Sequence, residues 1–355
     1  MLITLCGVLS IAWVLYRLYK HVSIGVRNFI LTNNVDFSAF GQWAVVTGAT
    51  GGMGKAFVSA FASRGLNVYL LGRSEDSLAA LHKEMSERYP QRQFKTLCID
   101  FSKDDALDYY GKMRSALASL DIGVLVNNAG RCDDLPGLMH EMPVELGVEM
   151  LQTNTMSLYL LAHCVLEGMQ RRRRGAVITV SSFASMNVCP RMSTYGATKA
   201  FATYLTRSLE SEYAQHGVRF ECLLPSFVQT KMAGGLRDAS KPDLLMPSAE
   251  AYVASALNTF GVSVTSSGYW FHGLFATIIS LLPCGVSRDL GDKNMDEMVK
   301  HAKNLQKERA AFKDSPGNHT TATDASSCNG ANGSSNGRNG QVPTAADSNG
   351  RPKAE

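Results

Sequence analysis

The chain has 355 residues, 35 Lys+Arg against 31 Asp+Glu, and 45% hydrophobic residues. A net charge of +4 without a concentrated basic face argues against a dedicated nucleic-acid binder. The composition also argues against a collagen-like chain, a disulfide miniprotein and a polytopic membrane protein. A loose prior of about 150 residues per domain would give two domains. The apolar residues are unevenly spread, however. Met1 to Tyr16 carries no charge, and the last 42 residues hold one Val (Val342) and no larger apolar side chain. The division expected is therefore 1–40 as a membrane anchor and linker, 41–313 as one large α/β domain, and 314–355 as a tail.

Met1 to Tyr16 is followed by Arg17, Lys20 and Arg27, with no acid before Asp36. There is no positive n-region and no small-x-small cleavage site, so an uncleaved anchor fits better than a signal peptide. The positive-inside rule puts Arg17 and Lys20 on the cytosolic side. The expectation is an anchor in the endoplasmic reticulum membrane with the body facing the cytosol.

Trp43 to Thr47 (WAVVT) reads as a short buried strand. The turn Gly48 to Gly54 (GATGGMG) follows, then an amphipathic run (KAFVSAFASRG), then a second buried strand, NVYLLGRS. Strand, Gly-rich turn, helix and strand form the βαβ unit of dinucleotide binding. Glycines let the backbone approach a pyrophosphate, and the helix N-terminus offers free N–H groups. An NAD site would place a carboxylate at the end of the second strand. Arg73 and Ser74 stand there instead, and a guanidinium suits a 2′-phosphate. The predicted cofactor is NADP(H).

Strand-like runs continue at Phe94 to Asp100, Ile122 to Gly130, Gly175 to Ser182 and Gly217 to Pro225, with helical patterns between them. The fold class is α/β, a Rossmann-type doubly wound parallel sheet. Ligands bind such sheets at the carboxyl ends of the strands. Asp100, Asn127, Ser182 and the residues after Pro225 are therefore candidate site residues. The basic run Arg171 to Arg174 precedes Gly175 and reads as a solvated helix C-terminus.

Tyr195 and Lys199 stand at i and i+4, one turn apart on one helix face. An ammonium there favours the phenolate and suits Tyr195 to proton transfer. Ser182, thirteen residues upstream, can hydrogen-bond the same carbonyl oxygen. The eight cysteines include no CxxC, and several sit in apolar runs, among them Cys98 and Cys222. Free thiols are expected, with no disulfide framework and no metal site.

Tyr269 to Pro283 (YWFHGLFATIISLLP) is too short for a comfortable span and reads as an apolar, membrane-associated helix interrupted by His272. Lys293 to Lys313 reads as a solvated basic helix, with anionic lipid as an alternative partner. The tail is rich in Ser, Asn and Gly and should be disordered. Its two glycosylation sequons, at Asn318 and Asn332, are chance matches if it is cytosolic.

TGATGGMG, NNAG (Asn127 to Gly130), Ser182 and YGATK together resemble the short-chain dehydrogenase/reductase family from about Gln42 to Pro225. The resemblance implies cofactor binding by Gly48, Thr50, Gly52, Met53 and Gly54, with Arg73 and Ser74 at the 2′-phosphate. It implies Asp100 near the adenine, Asn127 near the ribose, and the Pro225 to Thr230 loop, Val228 included, at the nicotinamide, with Thr230 as the carboxamide partner. Asn154 would prop a proton-relay water, Ser182 polarise the carbonyl, Tyr195 act as acid, and Lys199 bind the nicotinamide ribose and tune Tyr195.

The anchor, DFS (Asp100 to Ser102), LPSFVQTKM and SGYWFHGLFATIISLLP are similar to the family's membrane-bound branch. That branch holds very-long-chain 3-oxoacyl-CoA reductases and 17-beta-hydroxysteroid dehydrogenases of types 3 and 12. It implies a lipophilic carbonyl substrate. The family resemblance further implies a dimer or tetramer through the Asn154 and Tyr195 helices, a homodimer being one such state; the apolar run Met150 to Val165 permits this, and a buried helix of a monomer explains the run equally well. Acyl-CoA and ketosteroid remain alternatives, because selectivity lies after Thr230, in Lys231 to Pro247. A non-catalytic scaffold on the same fold would require a broken site.

Overall fold

The computed structural model describes residues 35–313, apart from 133–134, 239–241 and 283, and scattered positions before 35. The tail and most of the expected anchor lie outside the described residues.

The strands form where the sequence runs apolar and β-branched. They are β1 (Trp43–Thr47), β2 (Asn67–Gly72), β3 (Phe94–Cys98), β4 (Ile122–Asn127), β5 (Gly175–Val180), β6 (Val218–Leu223) and β7 (Thr265–Ser266). They make one parallel sheet in the order β3-β2-β1-β4-β5-β6-β7. The order reverses between β1 and β4, and that switch point is where such sheets open a crevice.

Alternate strand residues face opposite layers. Val46, Leu70, Val124 and Ile178 pack on one face with Phe57 and Phe61 of α1 (Gly52–Ser63). Phe37, Phe40 and Phe260 join them, with rings 5.2–6.1 Å apart between Phe260 and the other two. Val45, Leu71, Leu125 and Val177 face the other layer. There they meet Tyr109 and Met113 of α3 (Ala106–Leu117) and Leu161 and Val165 of α5 (Ser157–Arg172). Residues buried on both sheet faces explain why the strands read as continuous apolar runs.

Between β2 and β3 lies α2 (Glu75–Arg88), and α4 (Val144–Leu151) precedes α5. After β5 come α6 (Ser193–Tyr213), the short α7 (Lys231–Gly234), α8 (Ala249–Thr259), α9 (Trp270–Leu281) and α10 (Cys284–Lys313). Among the described residues no helix is long and apolar enough to cross a membrane. At 1.5 Å per residue the twelve residues of α9 reach about 18 Å, short of a bilayer core of about 30 Å.

Two sequence expectations change. The thiols are free at Cys132, Cys164, Cys189 and Cys222, but Cys98 is disulfide-bonded. Cys98 ends the sheet's edge strand, and with no CxxC in the sequence its spacing gave no signal of the bond. The basic segment 293–313 belongs to a helix that begins at Cys284 and is not wholly solvated, since Met295, Met298 and Ala302 are buried.

Candidate active site

The Gly-rich turn is held by the end of β4. The Thr47 hydroxyl donates to Val126 O and accepts from the backbone N–H groups of Asn128 and Ala129. Asn128 Nδ2 donates to Thr47 O at 2.8 Å and to Gly48 O at 3.3 Å. Neither Thr47 nor Asn128 was singled out from the sequence, although NNAG contains the second. Gly48 adopts φ +60°, and a Cβ on Gly54 would meet Gly48 O at 2.0 Å. Only glycine allows this close return of the chain. A Cβ on Gly52 would meet the Thr230 methyl at 2.9 Å, which brings the post-β6 loop against the turn.

These residues fit a dinucleotide. Asn127 is buried, and among the described residues neither side-chain Nδ2 nor Oδ1 has a hydrogen-bond partner. A buried amide without partners is costly unless a ligand supplies them. Arg73 is exposed at the end of β2, and Ser74 caps α2 by accepting the Ser77 N–H at 3.3 Å. A side chain on Gly72 would come within 3.7 Å of the Thr50 hydroxyl, so Thr50 lies beside that strand end. Asp100 Oδ1 is taken by the Ser102 backbone N–H and hydroxyl, at 3.0 and 2.6 Å, so only the other carboxylate oxygen can face an adenine.

Other predicted cofactor residues are engaged differently. Met53 packs against the core, and the Val228 side chain is buried in it, so Val228 offers its backbone alone. The Thr230 hydroxyl caps α7 by accepting the Ala233 N–H and donates to Val228 O.

The residues predicted to be catalytic converge from three elements. Lys199 on α6 is buried and donates from Nζ to Val180 O at 2.9 Å. Its Nζ lies 5.8 Å from the centre of the Tyr195 ring. Burial pulls the Lys199 pKa down to about 8. Ser182 follows β5, and its hydroxyl accepts the Ala184 N–H at 3.1 Å, leaving its proton to donate elsewhere.

Asn154 occupies a π-type turn, Gln152–Met156, between α4 and α5. Such turns often mark functional positions. Its Nδ2 donates to Arg131 O and to the Thr198 hydroxyl, both at 2.9 Å, and its Oδ1 accepts the Arg131 N–H at 2.7 Å. A Cβ on Gly130 would stand 3.2 Å from Lys199 Nζ and 3.6 Å from Asn154 Oδ1. The NNAG loop, Asn154 and Lys199 therefore meet at one point.

Two residues escaped the sequence reading. Thr198 sits between Tyr195 and Lys199, and its hydroxyl donates to Tyr195 O at 2.8 Å. His272 interrupts an apolar run in the sequence. In the structure it is buried on α9, with Nδ1 accepting the Ser226 N–H at 3.4 Å and Nε2 facing Leu245 O at 3.1 Å. Burial lowers its pKa, which keeps the ring neutral and Nδ1 an acceptor. His272 thus ties α9 to the loop after β6.

The short chain dehydrogenase family profile matches residues 42–241. Hydroxysteroid dehydrogenase-like protein 1 of Gallus gallus is 36% identical over 254 residues, 71% of this chain and 76% of that one. The very-long-chain 3-oxoacyl-CoA reductase of Rattus norvegicus is 34% identical over 277 residues, 78% of this chain and 84% of that one. A short-chain dehydrogenase from Sphingobium yanoikuyae, solved in complex with NADPH, superposes with a TM-score of 0.56 at 22% identity. That match covers 79% of this chain and 98% of the other and shows a shared fold.

Proposed function

The chain belongs to the short-chain dehydrogenase/reductase family of NAD(P)-dependent oxidoreductases, and from that premise we propose that it reduces the 3-oxo group of long-chain acyl-CoA with NADPH, as a step of fatty acid elongation. Bound NADPH supplies the hydride. The chain's own residues do the rest. Ser182 donates its hydroxyl hydrogen to the substrate carbonyl, and Tyr195 gives its phenolic proton to the oxygen as charge develops there. Lys199, buried and cationic at neutral pH, favours the phenolate that remains. Asn154 keeps one Oδ1 lone pair for a relay water beside Lys199.

The observation that carries the lipid reading is the two-faced placement of α9. Its inner face meets the catalytic loops, through His272 at Ser226 and through Phe275, whose ring lies 5.6 Å from that of Phe183, next to Ser182. Its outer face exposes Trp270, Leu274, Ile278 and Leu281. An apolar surface joined to the site suits a substrate that partitions into a bilayer. With the expected N-terminal anchor, it supports an endoplasmic reticulum location with the catalytic domain in the cytosol.

A 17-beta-hydroxysteroid dehydrogenase is the second reading, favoured by the resemblance to the avian hydroxysteroid dehydrogenase-like protein. The deciding experiment assays detergent-solubilised protein with NADPH and either a long 3-oxoacyl-CoA or a 17-ketosteroid. Turnover of the ketosteroid alone would overturn the acyl reading. Tyr195→Phe should abolish turnover; a fully active variant would require another mechanism, and a parent protein that turns over neither substrate would revive the non-catalytic scaffold.

The same family geometry suggests a homodimer. Met156, Tyr159, Phe201 and Tyr204 are exposed on the Asn154 and Tyr195 helices. Tyr204→Glu should then convert a dimer to a monomer in light scattering.

A further inference from the structure

The helix α10 contributes to an apolar cluster against which Tyr195 packs. Met295 and Met298 stand one turn apart and are buried while most of the helix is exposed. They join Cys132, Met192 and Leu236 in an apolar cluster, and Tyr195 and Phe227 pack against it. This cluster is separate from the two that hold the sheet. It gathers α10, the start of the Tyr195 helix and the loop after β6.

A second observation concerns the junction between them. Arg191, four residues before Tyr195, adopts φ +63°, a left-handed conformation that a long side chain rarely takes. Its carbonyl accepts the Gly137 N–H at 3.0 Å, and its guanidinium is ion-paired with Asp296 on α10. Non-glycine residues persist in such conformations where their surroundings hold them, often beside functional sites. Here the holding group comes from α10.

We propose that α10 forms the outer wall of the substrate pocket, with Met295 and Met298 as specificity-determining residues and the Arg191–Asp296 pair as the device that positions the wall. The proposal rests on the reductase reading and names the part of the chain that the acyl group meets. Methionine suits this task because its unbranched thioether adapts to chains of different bulk. The pocket then has one wall from the loop after β6, where Phe227 and Leu236 lie, and another from a helix that begins only at Cys284.

The test uses full-length protein and four forms: wild type, Met295→Ala/Met298→Ala, Asp296→Arg, and Arg191→Asp/Asp296→Arg. One readout is kcat/KM over short and long 3-oxoacyl-CoAs and a 17-ketosteroid. The other is amide hydrogen exchange over residues 295–302, which needs no turnover. The methionine variant should change the ratio of bulky to small substrates by about tenfold, with the NADPH KM within about twofold. Asp296→Arg should lose protection over 295–302, and the charge swap should regain it. An unchanged substrate ratio, or protection indifferent to Asp296→Arg, overturns the proposal. If only the ketosteroid is reduced, the acyl reading falls, while the change in ketosteroid kcat/KM in the methionine variant and the exchange data still judge the wall.

Discussion

Asn154 Nδ2 donates to the Thr198 hydroxyl at 2.9 Å, and that hydroxyl donates to Tyr195 O at 2.8 Å. The π-type turn and the Tyr195 helix are thereby joined through one threonine that touches no reacting atom. Thr198→Val keeps the shape and removes both bonds. Tyr195 should lose its alignment, with kcat falling about tenfold, or roughly 1.4 kcal/mol of barrier. The NADPH KM should move little. Thr198→Ser should retain most of the rate. A Thr198→Val enzyme at full kcat would show that the contact is structural only.

Lys199 exchanges stability for function. Burial lowers its pKa to about 8 from 10.5, so between those values the unfolded chain binds more protons than the folded one. Stability therefore rises with pH through that window, and the full burial cost, about 3 kcal/mol at most, is present below pH 8. Lys199→Met should melt higher than wild type at pH 7 and be inactive, and its advantage should shrink as pH rises from 8 to 10. A difference in melting temperature that does not vary with pH would sink this account. In the wild type, kcat/KM for reduction should fall above about pH 8, because Tyr195 loses its cationic neighbour.

The parallel sheet and the Tyr195–Lys199 face were legible because each follows from local pattern, apolar runs alternating with helical stretches and a spacing of four on a helix, whereas the strand order and the short β7 appear only in the structure. Asn154 could be matched to a family position, but its π-type turn carries no local signature, so the bridge to Thr198 was not legible. His272 read as a blemish in an apolar run because its partners, Ser226 and Leu245, are far away in sequence. Met295, Met298 and Ala302 do lie at helical spacing. The surrounding charges made that face look solvated, and only the packing on Tyr195 shows what it covers.

Glu221 is a buried acid in a strand interior, and its neutral form suits the site. The Thr259 hydroxyl donates to Oε1 at 3.2 Å, and burial raises the pKa to about 8 from 4.5 against the opposing effect of the Thr259 and Ser266 hydroxyls. Between pH 4.5 and about 8 the folded chain binds more protons, so stability falls as pH rises, by about 1.4 kcal/mol per unit at most. Glu221→Gln should remove that slope. Its melting temperature should draw ahead of wild type between pH 5 and 8 with activity retained. Parallel pH profiles would mean that Glu221 is solvated or paired in solution.

On the proposed NADPH reading, Arg73 sets the choice of cofactor. It is exposed at the carboxyl end of β2, where an NAD site would present a carboxylate to the ribose hydroxyls. A guanidinium there can form charge-assisted hydrogen bonds to a 2′-phosphate, worth roughly 1.5–3 kcal/mol. NADH lacks that phosphate and gains nothing from the interaction. Arg73→Ala should therefore raise the NADPH KM by about tenfold to a hundredfold, leave the NADH KM within about twofold and change kcat little. Equal loss with both cofactors would point instead to Arg73 ordering the turn at Ser74, and the preference for NADPH would then have to come from Thr50 and the glycine turn.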